Sequence, residues 1–148
     1  MTAEVAPLVA LAREAAHVAA EYIRGIDRTA VDREYKQSAQ DIVTIHDKRS
    51  EELIREVLER GAPDATIVGE EGGVASGDSG VTFYVDPIDG TSNFVAGLPL
   101  YAVSIGVAIN ENLVGGVINA PSLGQEFWSD DTGAFLGDRK LGPHTTHP

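Results

Sequence analysis

Asp86 and Asp89 stand three positions apart in DPIDGTSNF, residues 86–94, directly behind the apolar run VTFYV, residues 81–85. Asp, Pro, Gly, Ser and Asn are turn-forming types, and a surface turn uses them freely. A turn that leaves a buried strand can also present two carboxylates and a row of backbone N–H groups to one point. Two further acidic clusters accompany it: DIVTIHD, residues 41–47, and GEE, residues 69–71. Hard cations such as Mg²⁺ take oxygen ligands at about 2.0–2.1 Å in octahedral array. One carboxylate rarely suffices, so ligands must converge from separate segments. Strand ends are good platforms for them, because a sheet fixes where each ligand points.

Within 86–94, Pro87 fixes one φ and removes an N–H, so a loop here can curl until Asp86, the Ile88 carbonyl and Asp89 face one point. Gly90 permits close backbone approach. A helix beginning at Gly90 or Thr91 would offer free N–H groups to a phosphate without any basic side chain. Thr91 suits an N-cap equally well. Glu70 and Glu71 are adjacent, so an extended chain points them to opposite sides, and the residues alone do not choose between them. Thr44-Ile45-His46-Asp47 fits a helix capping box, which gives Asp47 a structural role as readily as a chemical one. The histidines in PHTTHP, His144 and His147, have metal-like spacing, but a frayed tail is the plainer reading. Phe127 and Trp128 read as core or interface residues, and His17 and His46 as helix-surface residues.

The elements that must position these groups follow from periodicity. Val5, Leu8, Val9, Ala12, Ala15, Ala16, Ala19, Tyr22, Ile23 and Ile26 recur at helical spacing. They predict a helix from about Ala6 to Arg24, with Pro7 tolerated in its first turn and Gly25 ending it. A second helix is expected near residues 45–60. Leu53, Ile54, Val57 and Leu58 form its apolar stripe, Glu51–Arg55 and Glu56–Arg60 are its i,i+4 pairs, and Gly61 and Pro63 stop it. Strands follow at Thr66–Val68 and Val81–Val85, separated by a loop containing GGVASGDSG. Ala102–Ile109 alternates large and small residues, and the small face would let something pack closely. Asn110-Glu111-Asn112 turns the chain into Leu113–Asn119 as an antiparallel hairpin, and Glu126–Ser129 and Ala134–Leu136 are two more candidate strands. Helices first and then consecutive strands predict an α+β fold, two helices packed on a mainly antiparallel sheet.

The chain has 148 residues, 43% of them hydrophobic, which suffices for one domain with a real core. Its formal net charge of −12 disfavours sequence-independent nucleic-acid binding, while bound divalent cations could reverse the local field for an anionic substrate. With no cysteine, disulfides and thiolate zinc sites are excluded. No stretch is long and apolar enough to span a membrane, and Glu4 with no basic n-region argues against a secretory signal. A cytoplasmic location is the default expectation.

With GEE, DPIDGTSNF and DIVTIHD in this order and spacing, the chain resembles the inositol monophosphatase family of Mg²⁺-dependent, lithium-sensitive phosphatases. The match to that family's D-P-x-D-G-T-x-N-F signature is complete, and the resemblance extends to about Leu141. It implies the N-terminal half of a layered αβαβα sugar-phosphatase fold, with residues 1–141 as the metal- and phosphate-binding domain and 142–148 as a tail. One metal site would then fall on Glu70, Asp86 and the Ile88 carbonyl, and a second on Asp86 as bridge plus Asp89. Gly90, Thr91 and Ser92 would hold phosphate through backbone amides. Glu70 and Thr91, the latter oriented by Asp47, would position the attacking water. Lys36 stands where members often carry a lysine near the site, although as a residue type it is more often a solvated lysine. The implied chemistry is direct in-line attack of metal-activated water on phosphorus.

Members usually continue through a C-terminal α/β half that supplies a further aspartate. Here the acids after Asp89 are Glu111, Glu126, Asp130, Asp131 and Asp138, and none sits in the corresponding motif. The expectation is therefore weak binding of one cation, slow or absent turnover, and exposed apolar surface that favours self-association or instability. Inositol monophosphate is the leading substrate. Fructose 1,6-bisphosphate, histidinol phosphate and phosphoadenosine phosphate are handled by relatives with the same motifs, and a non-catalytic cation- or partner-binding module is the other alternative. Members often dimerise, so a homodimer is one expectation that the residues themselves do not set.

Overall fold

The structure, a computed structural model, describes residues 4–27 and 39–143, with side chains from residue 45 in the second segment. Helix α1 spans Val5–Arg24 and buries Val9, Ala12, Ala15, Ala16, Ala19, Ala20 and Ile23, so small alanines let it lie close on its neighbours. Helix α2 spans Ala39–Gly61 and buries Ile54, Val57 and Leu58. The two helices pack on each other and on one face of a single sheet.

That sheet has eight strands: β1 Thr66–Val68, β2 Val74–Ala75, β3 Val81–Asp89, β4 Ala102–Ile109, β5 Asn112–Ala120, β6 Gln125–Asp130, β7 Gly133–Leu136 and β8 Arg139–Lys140. Their order is β2-β1-β3-β4-β5-β6-β7-β8. Every neighbouring pair is antiparallel except β1 and β3. A five-residue helix α3, Thr91–Val95, follows β3. The α+β reading, two helices on a mainly antiparallel sheet, holds.

Two boundaries differ from the sequence reading, and both bear on the site. Helix α2 begins at Ala39, not near residue 45. Asp47 is therefore interior to the helix and cannot belong to a capping box at its start. Residues 86–89 form strand, not a curled loop. In β3 Val81, Phe83, Val85 and Pro87 are buried, and so is Ile88 directly after Pro87. The inside–outside alternation slips by one position there, where the β3–β4 register is irregular between Asp86 and Asp89. A regular strand would put Asp86 and Asp89 on opposite faces. The slip leaves both on the less buried side. Pro87 is tolerated in the strand because a bulge asks for no ladder N–H at that position.

On the helix side, Phe83, Val103, Ile105 and Val107 join the α1 and α2 residues in one core. On the other side, Tyr84, Gly106, Gly116 and Ser129 align across the register, and Asp86, Ser104, Ile118 and Phe127 form the next row. No element among the described residues covers the small-residue face of β4, and Tyr84, Leu113, Ile118 and Phe127 are exposed there.

Candidate functional site

The parallel pairing of β1 with β3 aligns Thr66 with Thr82, Ile67 with Phe83 and Val68 with Tyr84. Continuing that register two residues brings Glu70 level with Asp86 and onto the same side of the sheet, with Glu71 of the opposite parity. A cleft of about 330 Å³ opens there, lined by Val68, Gly69, Glu70, Tyr84, Asp86 and Ser104 among others. The register thus sets Glu70 beside Asp86, while the charges of both Glu70 and Glu71 reach Asp47.

Helix α2 closes the site from the core side. Asp47, Ser50 and Glu51 occupy one helical face at i, i+3 and i+4, and all three are buried. Ser50 Oγ donates to the Pro87 carbonyl at 3.0 Å. Glu51 reaches the segment after β1, where the N–H groups of Glu70, Glu71 and Gly72 donate to its carboxylate. Burial alone would push the Glu51 carboxyl up. The three N–H groups and Arg55 more than reverse that, holding it below its ordinary range.

The remaining carboxylates go the other way. Burial, and then the charges of Glu71, Glu70, Asp86 and Glu51, push Asp47 up to about 7. Burial, and then Glu70 and Asp89, push Asp86 up to about 6, against a partial offset from the Ile88 N–H. Glu70 is raised by burial, followed by Glu71, Glu51 and Asp89. These acids therefore face one another closely enough for their charges to matter. Asp47 Oδ1 and Asp86 Oδ1 are buried and have no hydrogen-bond partner. Buried acceptors of this kind are rarely left unpaired. A divalent cation would satisfy Asp86 Oδ1 and reduce the repulsion among the cluster, so the residues present fit one. Among the described residues no three acidic or histidine side chains are grouped closely enough to hold a metal ion as they stand, so an ion here would require the carboxylates to draw together.

Gly90 follows Asp89 directly with φ +87°, and a Cβ there would lie 2.9 Å from the Leu100 carbonyl oxygen. Only glycine meets both demands. Gly90 also occupies the N-cap position of α3, so Thr91 is the first helical residue and not the cap. Thr91 and Ser92 place their N–H groups at the helix start, where intrahelical acceptors are lacking. The turn is anchored behind by Asn93 Nδ2, which donates to the Leu100 carbonyl at 2.9 Å, and by Phe94 set edge-on to Tyr101. His46 is half-buried instead of free on the helix surface: Tyr22 Oη and His46 Nδ1 share a 2.8 Å hydrogen bond.

The structure thus brings Asp47, Glu70, Asp86, Ile88 and Asp89 to one neighbourhood, with Gly90, Thr91 and Ser92 following directly on β3. Lys36, His144 and His147 lie outside the described residues. Sequence reasoning missed the roles of Ser50, Glu51 and Asn93. Ser50 and Glu51 share the helical phase of Asp47, Ile54 and Leu58, and polar residues in phase with a buried stripe were the available signal.

A family model described as the inositol monophosphatase family matches residues 2–148. A histidinol-phosphatase of Streptomyces coelicolor is 42% identical over 108 residues, 68% of this chain and 40% of that protein. A Nus factor SuhB of Pasteurella multocida is 38% identical over 138 residues, 91% of this chain and 52% of that protein. An inositol monophosphatase structure from Anabaena (Nostoc) superposes with a TM-score of 0.78 at 29% identity, covering 93% of this chain and 50% of the other. The chain spans about half the length of the relatives it matches.

Proposed function

Because this chain belongs to the inositol monophosphatase family, we propose that it carries the cation- and phosphate-binding half of a phosphatase acting on a small phosphate monoester, inositol monophosphate foremost. The observation that carries this reading is the buried, unpartnered Asp86 Oδ1 among the mutually repelling Asp47, Glu70 and Asp89. Glu70, Asp86, Asp89 and the Ile88 carbonyl would hold Mg²⁺. When bound, Mg²⁺ would neutralise charge on the phosphoryl group and activate water for in-line attack on phosphorus. The backbone N–H groups of Gly90, Thr91 and Ser92 orient the phosphate, and Glu70, with Thr91 oriented by Asp47, positions the water and accepts its proton.

Choice among inositol monophosphate, fructose 1,6-bisphosphate, histidinol phosphate and phosphoadenosine phosphate needs contacts beyond this cluster. A second reading, a non-catalytic cation- or partner-binding module, draws on two observations: the uncovered sheet face and the half-length match to relatives, one of which is named a Nus factor. Phosphate release from that four-substrate panel, with and without Mg²⁺ and Li⁺, separates the two. Mg²⁺-dependent release that Asp86→Asn abolishes supports the phosphatase. Release that Asp86→Asn leaves unchanged refutes the site, and no release from any substrate with cation binding intact supports the module.

A further inference from the structure

We propose that Glu51 is a positioning residue that holds Glu70 at the height of Asp86 by gripping the backbone on either side of it. The proposal rests on the cation-site reading above. Glu51 is 2% exposed, yet its carboxylate is fully engaged. Oε1 accepts the N–H of Glu70 at 2.7 Å and of Glu71 at 3.1 Å, and Oε2 accepts the N–H of Gly72 at 2.5 Å. Arg55 completes the clamp, with Nε on Glu51 Oε2 at 3.3 Å and Nη2 donating to the Gly73 carbonyl. Gly69 N–H closes the loop on the Gly73 carbonyl at 3.1 Å. The loop lies so tightly on the carboxylate that a Cβ at Gly69 would come 2.4 Å from Oε1, and one at Gly72 2.9 Å from Oε2.

Three features make this a device for Glu70 and not a generic buried ion pair. The Glu70 side chain is itself exposed, so its direction depends on its backbone, and that backbone is what Glu51 holds. With N–H donors on both oxygens, Glu51 is not left to face a cation in Glu70's place. One turn of the same helix also fixes the other half of the site, because Ser50 binds the Pro87 carbonyl between Asp86 and Asp89. A rigid turn of α2 therefore spans the two ligand-bearing segments and sets their separation, the role that outer partners of metal ligands commonly play.

The test uses the full chain with Glu51→Gln, Glu51→Asp, Gly69→Ala and the exposed control Glu52→Gln. Glu51→Gln keeps the shape and turns one acceptor into a donor. Glu51→Asp keeps the charge and loses one methylene of reach. Gly69→Ala pushes the loop off the carboxylate while leaving every residue of α2 unchanged. Two quantities are read: hydrogen-exchange protection of the Glu70, Glu71 and Gly72 amides, and Mn²⁺ affinity from titration of free Mn²⁺ by electron paramagnetic resonance. The expected result is at least about tenfold loss of both in the three loop or clamp variants, with the β4 amides still protected and Glu52→Gln unchanged. Wild-type Mn²⁺ affinity in Glu51→Gln with those loop amides freed would overturn the proposal. Wild-type affinity in Glu51→Asp while the loop stays unprotected would also overturn it, since charge alone would then suffice. If wild type and Asp86→Asn bind Mn²⁺ equally, the cation-site reading fails and takes the proposal with it. The amide readout distinguishes that outcome, because the clamp on the loop would still be visible.

Discussion

Ser50 in α2 donates a buried 3.0 Å hydrogen bond to the carbonyl of Pro87 in β3. It thereby ties the helix to the bulge that puts Asp86 and Asp89 on one side of the sheet. Ser50 is 0% exposed, so its loss leaves a carbonyl with no solvent to turn to.

Ser50→Ala should therefore destabilise the chain by about 1–3 kcal/mol, the range for stranding a buried acceptor. Urea denaturation measures it. Stability equal to wild type would mean that the Pro87 carbonyl has another donor and that the bulge does not depend on α2.

Gly90→Ala should fail on two counts, the +87° φ and the 2.9 Å approach of its Cβ to the Leu100 carbonyl oxygen. Such backbone strain costs about 1–3 kcal/mol, and relieving it moves the start of α3 away from Asp89. The expected outcome is loss of inorganic phosphate binding, read by ³¹P line broadening, together with a lowered melting temperature. Unchanged phosphate binding would separate Gly90, Thr91 and Ser92 from the phosphate.

Stability should depend on pH in a direction set by Asp47 and Asp86. Burial, followed by neighbouring carboxylates, raises them from 3.8 to about 7 and about 6. Between about pH 4 and 7 the folded, cation-free chain therefore binds more protons than the unfolded chain. The contribution of these groups is fully present below pH 4 and is lost as pH rises through 6 and 7. Glu51, held low, acts in the opposite sense at the acid end. In EDTA the melting temperature should be higher at pH 5 than at pH 8, and Mg²⁺ should raise it more at pH 8. A cation-free chain that gains stability from pH 5 to pH 8 would contradict the cluster.

The legible and illegible parts of the site differ in range. DPIDGTSNF was legible in part because some of its features are local: two acids close in sequence and a glycine at the position whose φ is +87°. The stripe of α1 was legible for the same reason, since alternation at 3.6 residues needs no partner to be seen. That Glu70 comes level with Asp86 was not legible, because it follows from the parallel register of β1 on β3, strands joined through β2 and a loop. Asp47 was misread as a possible cap because Thr44-x-x-Asp47 imitates one, whereas the helix starts at Ala39. Pro87 suggested a loop because proline is excluded from ordinary strand interiors, and only the β3–β4 pairing reveals a bulge. Glu51 looked like half of a surface pair with Arg55. Its burial comes from the loop that folds back over it.

One ion held between the end of β1 and the bulge of β3 would give the unpartnered Asp86 Oδ1 its partner. Crystals soaked in Mn²⁺ test it most directly through the anomalous difference map. A peak within ligand distance of Glu70, Asp86 and the Ile88 carbonyl, absent from Asp86→Asn crystals soaked alike, is the predicted result. A map with no peak there at saturating Mn²⁺, or with the same peak in Asp86→Asn, would contradict it.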